Sequence, residues 1–278
     1  MLQKKIHSLF TALQRYSRPA VAFSGGVDST VLLRAVQKTH APESVLAITA
    51  FSPSFPNEEK QQVTQLADFL HVSHHFLATD EIFDPDYLKN DKNRCYYCKR
   101  RIFYHMMNFA SANNCDVLLE GSNADDQNLW RPGKKALEEY GIPSPLADAG
   151  LKKAEIRQIA KMWELPVSEK PSTPCLASRF AYGIPLTDEN FRRVEAAENF
   201  LRKLLENHLK TLPNMLPCPF RVRVHEGNLA RIELPPEWFY FLTDPKITAK
   251  ITENFKKLGF HFITLDMEGF RSGCYDAL

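Results

Sequence analysis

"PAVAFSGGVDSTVLLRAV", residues 19–36, sets a short apolar run against two glycines, an aspartate and three hydroxyls, and then resumes with apolar residues at helical spacing. The apolar run ending in glycine reads as a buried strand of the parallel type. The stretch from Asp28 reads as a helix, with Asp28 and Ser29 suited to its start. A strand, a glycine turn and a helix start together form an anion site. Backbone N–H groups face the ligand there, and the helix dipole adds about half a positive charge. Gly25 and Gly26 let the backbone approach closely, and Ser24, Ser29 and Thr30 bring hydroxyls. The turn lacks the lysine of G-x-x-x-x-G-K-[ST], so it is not the loop of mononucleotide kinases or GTPases.

The same alternation continues outward from this stretch. "SVLAITAFS" (44–52), "SHHFLAT" (73–79) and "CDVLLEGSN" (115–123) read as strands. "NEEKQQVTQLADFL" (57–70) and the cysteine-bearing stretch before residue 115 read as helices. Strands alternating with helices predict an α/β fold, a parallel sheet with helices on both faces. After about residue 180 the pattern changes. "TDENFRRVEAAENFLRKLLENHLK" (187–210) is one long helix, "FRVRVHEG" and "LARIEL" are a strand pair, and a helix and a closing strand follow. The expected organisation is therefore a first domain over 1–183 and a small α+β domain over 184–278. The proline-bearing "GIPSPL" and "EKPSTPC" are expected between the two parts.

With 278 residues the chain has room for two modest domains. A net charge of +2 shows no general affinity for nucleic acid. No run reaches the ~18 apolar residues of a membrane span. The amphipathic N-terminus lacks a secretory core, so a cytoplasmic protein is expected. There are six cysteines. In a reducing compartment they are metal ligands, reactive thiols or buried small side chains before they are disulfides. "RCYYCKRR" (94–101) places Cys95 and Cys98 on one side of a helix or turn. Arg94, Lys99, Arg100 and Arg101 beside them favour thiolate. Cys175 stands in the proline-bracketed "KPSTPCLASRF" (170–180). Three thiolates suit an iron–sulfur cluster with one open iron. A zinc site completed by a fourth ligand, or separate roles for the thiols, are the other readings. Cys115, Cys218 and Cys274 are most simply unligated. In "RVRVH", Arg221, Arg223 and His225 share one strand face and suit a phosphate monoester. Ser178 and Arg179 are expected to line the same cavity. Glu195 and Glu198 are candidate metal or substrate contacts on the long helix, although helical acids are usually solvated.

"SGGVDS" resembles the PP-loop of the ATP pyrophosphatases, which split ATP between the α and β phosphates and pass AMP to an oxygen of the substrate. That resemblance implies nucleotide contacts from Ala22, Phe23, Ser24, Gly25, Gly26, Asp28, Ser29 and Thr30, with adenine beside Thr49 to Phe51. "EGSNADD" (120–126) adds Gly121, and Asp125 with Asp126 as carboxylates for Mg²⁺. Taken in order, SGGVDST, EGSNADD, RPG (131–133), SPL (144–146), PCLASRFAYG (174–183), VRVHEGNLARIE (222–233) and LDMEGFRSG (265–273) span nearly the whole chain and resemble the LarE family.

The resemblance implies an ATP-dependent sulfurtransferase acting on pyridinium-3,5-biscarboxylic acid mononucleotide, with Asp28 and Cys175 catalytic. Such a family supplies the nickel-pincer nucleotide. One kind of member sacrifices the sulfur of the cysteine matching Cys175. The other holds a [4Fe-4S] cluster on three cysteines, here Cys95, Cys98 and Cys175, and needs a sulfide donor; this sequence resembles the second kind. The C-terminal part is expected to bind substrate through Arg179, Arg221 and Arg223 and to support a homo-oligomer. Cys274 departs from the small residue usual at its position. A tRNA thiolase with a cluster is the nearest alternative, but it would need a broad basic surface.

Overall fold

The computed structural model describes residues 1–128, 132–171, 173–209 and 219–271. The chain divides into two compact units, Met1–Asp84 with Asn93–Pro174, and Pro85–Lys92 with Cys175–Leu278.

The first unit opens with α1 (Leu2–Leu13), β1 (Pro19–Ala22), α2 (Val27–Gln37), β2 (Leu46–Phe51), α3 (Asn57–Leu70) and β3 (Ser73–Ala78). A short helix of the second unit, α4 (Pro85–Leu88), interrupts it. The first unit then resumes with α5 (Arg94–Ala112), β4 (Val117–Leu119), α6 (Pro132–Tyr140), α7 (Pro145–Asp148) and α8 (Lys153–Met162). Its four strands are parallel, in the order β3-β2-β1-β4, with Ala20 opposite Leu46 and Pro19 opposite Val117.

Alternate residues of β1 feed opposite cores. Val21 packs with Leu9 and Leu13 of α1, Val31 and Leu32 of α2 and Ile156 and Ile159 of α8. Ala20 packs with Phe103 and Met106 of α5 and Leu137 of α6. Helices therefore cover both faces, as the strand–helix alternation requires. Strands β1 to β3 build outward in one direction, whereas β4 sits on the other side of β1. That is the topological switch point, where ligands bind at the carboxyl ends of parallel strands.

"GIPSPL" does not lie between the parts. It is inside the first unit, where Leu146 is fully buried and the Pro143 carbonyl accepts the Glu120 N–H at 3.1 Å. Its apolar side chains are core, and proline serves there to start α7.

The second unit contains α9 (Asp188–Leu209), β5 (Arg221–His225), β6 (Leu229–Glu233), α10 (Phe239–Thr243), α11 (Pro245–Lys257) and β7 (Phe262–Leu265). β5 and β6 form the expected antiparallel hairpin, turning at Gly227 with φ +70°, and β7 joins β6 in parallel. α9 buries Phe191, Val194, Ala197, Leu201 and Leu205, a stripe of three- and four-residue steps. The segment 85–92 is tied into this unit by Asn90, whose side-chain amide donates to the Ala181 and Ile184 carbonyls at 2.8 Å each. No helix among the described residues is long and apolar enough to cross a membrane.

Candidate active site

The turn after β1 is held from several sides. Phe23 N–H donates to Ile48 O at 2.8 Å, which extends the ladder one residue past the strand. Gly25 has φ +71°, and a Cβ there would lie 2.6 Å from Val63 Cγ2 on α3, so both backbone and space demand glycine. Gly26 is the N-cap of α2, which leaves the first amides of that helix without intrahelical acceptors. Among the expected hydroxyl donors, Ser29 and Thr30 turn back to Gly26 O at 3.1 and 2.8 Å, and Thr30 is fully buried. Ser24 Oγ lies 3.1 Å from Ser29 Oγ. Thr30 therefore shapes the loop from behind.

The loop after β4 lies directly against this turn. A Cβ on Gly121 would sit 3.0 Å from Ser29 N, so the two loops touch backbone to backbone. Buried Glu120 fixes the second loop by accepting Ser122 N–H at 3.0 Å, Ser122 Oγ at 2.9 Å and the Ser144 hydroxyl. Asp126 takes the Asn123 N–H at 3.1 Å. Asp125 Oδ2 accepts the Lys153 N–H at 2.8 Å, and the Lys153 ammonium is paired with Asp28 Oδ2. The other oxygen of Asp28, Oδ1, is buried without a hydrogen-bond partner among the described residues. Lys153 thus links the two carboxylates, and an orphaned carboxylate oxygen on Asp28, like the carboxylate of Asp125, is the donor type that Mg²⁺ carried in with a polyphosphate takes.

Thr49 is buried at the end of β2. Its hydroxyl donates to Phe23 O and lies 2.8 Å from His74 Nε2. Burial holds His74 below the usual histidine range, helped by neighbouring His75. The Phe51 ring packs edge-on to Phe55 and Phe76, with the Lys60 ammonium 3.9 Å from its centroid. This makes an aromatic shelf where the adenine is expected.

Lys153, Lys170 and Glu59 belong to this site without a spacing signal in the sequence. Besides Lys153, the Lys170 ammonium lies 2.7 Å from Glu59 Oε2 and 3.4 Å from Gly25 O. Lone lysines carry no spacing signal. The one usable hint for Lys153 is "KKAE", where Glu155 accepts the Lys152 N–H at 2.9 Å and so starts α8.

Cys95 and Cys98 stand in successive turns at the start of α5, three residues apart, the first exposed and the second half-buried. The expected cationic field around them is partly cancelled. Arg100 pairs with Asp84 at 3.3 Å, Arg101 holds Asp80 through Nε at 3.0 Å, and His105 joins Asp80 at 2.7 Å. Cys115 sits half-buried against the α5 core, and burial pushes its thiol up. Among the described residues no three His, Cys, Asp or Glu side chains gather as a metal ion would require. Cys218, Cys274 and Arg131 of the RPG motif lie outside the described residues.

In the second unit, exposed Cys175 precedes a 3-10 turn, Leu176–Arg179, and its carbonyl accepts Ser178 Oγ at 2.8 Å and Arg179 Nη1 at 3.2 Å. Arg179 is otherwise committed. It grips Glu198 at 3.1 and 3.0 Å, and Glu198 also takes the Val222 N–H at 3.1 Å. Glu198 is thus a buried ion-pair partner, while Glu195 is half-buried on the same helix. Arg223 is likewise committed, to Glu233 at 3.0 Å and to Ser178 O at 2.7 Å. Arg221 differs. Its Nη1 donates to Phe220 O at 2.7 Å, and it has no carboxylate partner among the described residues. Burial, with Arg179 and Arg223 close by, pulls its guanidinium down to about 10. His225 is also lowered by burial, with Arg231 near it.

Comparison with known proteins agrees with this geometry. The asparagine synthase family model matches residues 11–129, the stretch that carries both loops. An uncharacterized Synechocystis protein is 38% identical over 98% of this chain and 97% of its own. An uncharacterized Methanocaldococcus jannaschii protein is 30% identical over 91% and 90%. The pyridinium-3,5-bisthiocarboxylic acid mononucleotide synthase of Lactiplantibacillus plantarum is 35% identical over 98% of this chain and 94% of its own. A likeness running the length of both chains, on a parallel sheet with the glycine turn at its switch point, makes this chain a member of the LarE family of PP-loop proteins.

Proposed function

We propose that the chain is an ATP-dependent sulfurtransferase that converts a carboxylate of pyridinium-3,5-biscarboxylic acid mononucleotide to a thiocarboxylate in nickel-pincer nucleotide biosynthesis. The observation that carries this reading is the pair of touching loops, SGGVDST and EGSNADD, at the carboxyl ends of adjacent strands β1 and β4. Free amides at the start of α2 would receive the polyphosphate, and Asp28 and Asp125 would hold its Mg²⁺. The substrate carboxylate attacks the α phosphorus, pyrophosphate leaves, and an acyl adenylate forms. Sulfide then attacks the acyl carbon, and AMP leaves with the bonding electron pair. The first step turns a poor leaving group into a good one.

Cys95, Cys98 and Cys175 are the residues assigned to a [4Fe-4S] cluster, which would supply a replaceable sulfide on its open iron. What supports this assignment is the donor type, since iron–sulfur clusters are held by cysteine thiolates, together with the spacing of Cys95 and Cys98 on α5. Arg221 is the first choice for the substrate phosphate, because its neighbours Arg179 and Arg223 already hold carboxylates. Residues 1–183 would serve nucleotide and sulfur chemistry, and 184–278 substrate binding and association of subunits, in a cytoplasmic homo-oligomer.

The test is anaerobic reconstitution with iron and sulfide, then ATP and the pyridinium mononucleotide. Thiocarboxylate and AMP should form together over many turnovers. One turnover with loss of the Cys175 sulfur would replace the cluster with the sacrificial route. AMP release stimulated only by tRNA would overturn the substrate assignment.

A further inference from the structure

We propose that Lys153 is a built-in counter-ion that keeps divalent metal off Asp28 and Asp125 until a polyphosphate arrives. The inference rests on the reading of SGGVDST as a nucleotide site, and it adds an order of binding to it. One residue touches both candidate metal carboxylates. Its amide donates to Asp125 Oδ2 at 2.8 Å, and its ammonium pairs with Asp28 Oδ2. The loop itself lacks a lysine, and this one reaches it from 125 residues away.

The backbone of Lys153 is fixed. Glu155 accepts the Lys152 N–H at 2.9 Å, and Lys5 clamps Glu155 and the Gly150 carbonyl at 2.7 Å each. Its side chain is 38% exposed on a flexible four-carbon stem, so the ammonium can move while the amide stays. Asp28 keeps one buried oxygen unpartnered, so its acceptor capacity is only half used.

Two carboxylates are too few for Mg²⁺, which prefers six oxygens and commonly takes one or two from carboxylates and others from phosphate and water. With the ammonium in place, a bare ion must also displace a positive charge from Asp28. A bound triphosphate changes both terms. It brings oxygen ligands, and its negative charge draws the ammonium from Asp28 to the phosphate chain. Metal and nucleotide therefore enter together, and in the empty site the ammonium cancels one of the two carboxylate charges.

Mn²⁺ is the probe, its free concentration read by electron paramagnetic resonance on the whole chain without nucleotide. Wild type should bind it weakly, and Lys153→Met should bind it about tenfold or more tightly. Lys153→Arg should restore weak binding, and Lys153→Met with Asp28→Asn should lose the gain. Lys153→Gln replaces the Met variant if the latter unfolds by circular dichroism. A Met or Gln variant that binds Mn²⁺ no better than wild type overturns the proposal, as does a gain that survives Asp28→Asn. In a parallel arm, wild type with ATP should bind Mn²⁺ tightly. Failure of that arm alone counts against the nucleotide reading and leaves the counter-ion comparison intact.

Discussion

Arg223 and Glu233 are joined across the β5–β6 hairpin, Nε to Oε2 at 3.0 Å, with side chains only 5% and 0% exposed. Two residues away on the same strand, Arg221 has no such carboxylate partner among the described residues. A sequence face that reads as three equivalent basic residues is therefore two things, a structural pair and an available cation. Breaking a buried pair by removing one partner costs about 3–5 kcal/mol. Arg223→Ala should lower the denaturation midpoint strongly. Arg221→Ala should leave it nearly unchanged and weaken binding of the pyridinium mononucleotide. Calorimetric titration beside urea unfolding separates them, and equal losses of stability would refute the distinction.

Gly25 carries two constraints that a double variant can divide. Gly25→Ala meets Val63 Cγ2 and must hold φ +71°, a backbone cost of about 1–3 kcal/mol. Adding Val63→Ala should recover the steric part and leave the backbone part. Unfolding curves should place the double variant above Gly25→Ala once the separate cost of Val63→Ala is subtracted.

Lys170 and Glu59 make a mostly buried pair at 2.7 Å beside the Gly25 carbonyl. Contacting residues of this kind couple by about 0.5–3 kcal/mol. A double-mutant cycle with Lys170→Met and Glu59→Gln should show that coupling in stability. ATP affinity should fall in Lys170→Met, because the loop loses its tether. Additive effects would mean that the two side chains act independently.

His74 gives a pH dependence with a fixed sign. Its folded value lies below the ordinary 6.5, so the unfolded chain takes up the proton first as pH falls. Its contribution to stability is complete above 6.5. It is lost as pH drops through 6.5 and levels off below the folded value. Replacing His74 with Gln should flatten stability over that interval, measured by urea midpoints from pH 8 to about pH 5.

Iron content and adenylation should separate by residue. Cys95→Ala, Cys98→Ala and Cys175→Ala should each abolish iron binding after anaerobic reconstitution while AMP formation survives. Asp28→Ala should do the reverse. Cys115→Ala should change neither, and a large fall in iron in that variant would assign the half-buried thiol to the site.

The parts of the fold legible in sequence were those with a local cause. The run 57–70 is a helix over those same residues because its periodicity and acidic first turn lie within one element. The glycine turn was legible because a strand, two glycines and a helix start are contiguous. α6 and α8 carry weaker local signals. Lys153 with Asp28 and Arg179 with Glu198 join residues 125 and 19 apart. No composition or period marks which lysine or which helical glutamate will meet a partner when the chain closes. The arginine face was read correctly as a pattern and incompletely as chemistry, since alternation says which side a residue takes and not what it meets there.

The strap 85–92 lies between β3 and α5 in the chain, yet Asn90 and Tyr87 are buried in the second unit. A gene cut at residue 174 therefore yields two incomplete products. One carries a foreign loop with its apolar and polar anchors exposed, and the other lacks a piece of its own interior. Recombination between relatives would have to exchange both halves at once, so this architecture disfavours modular shuffling.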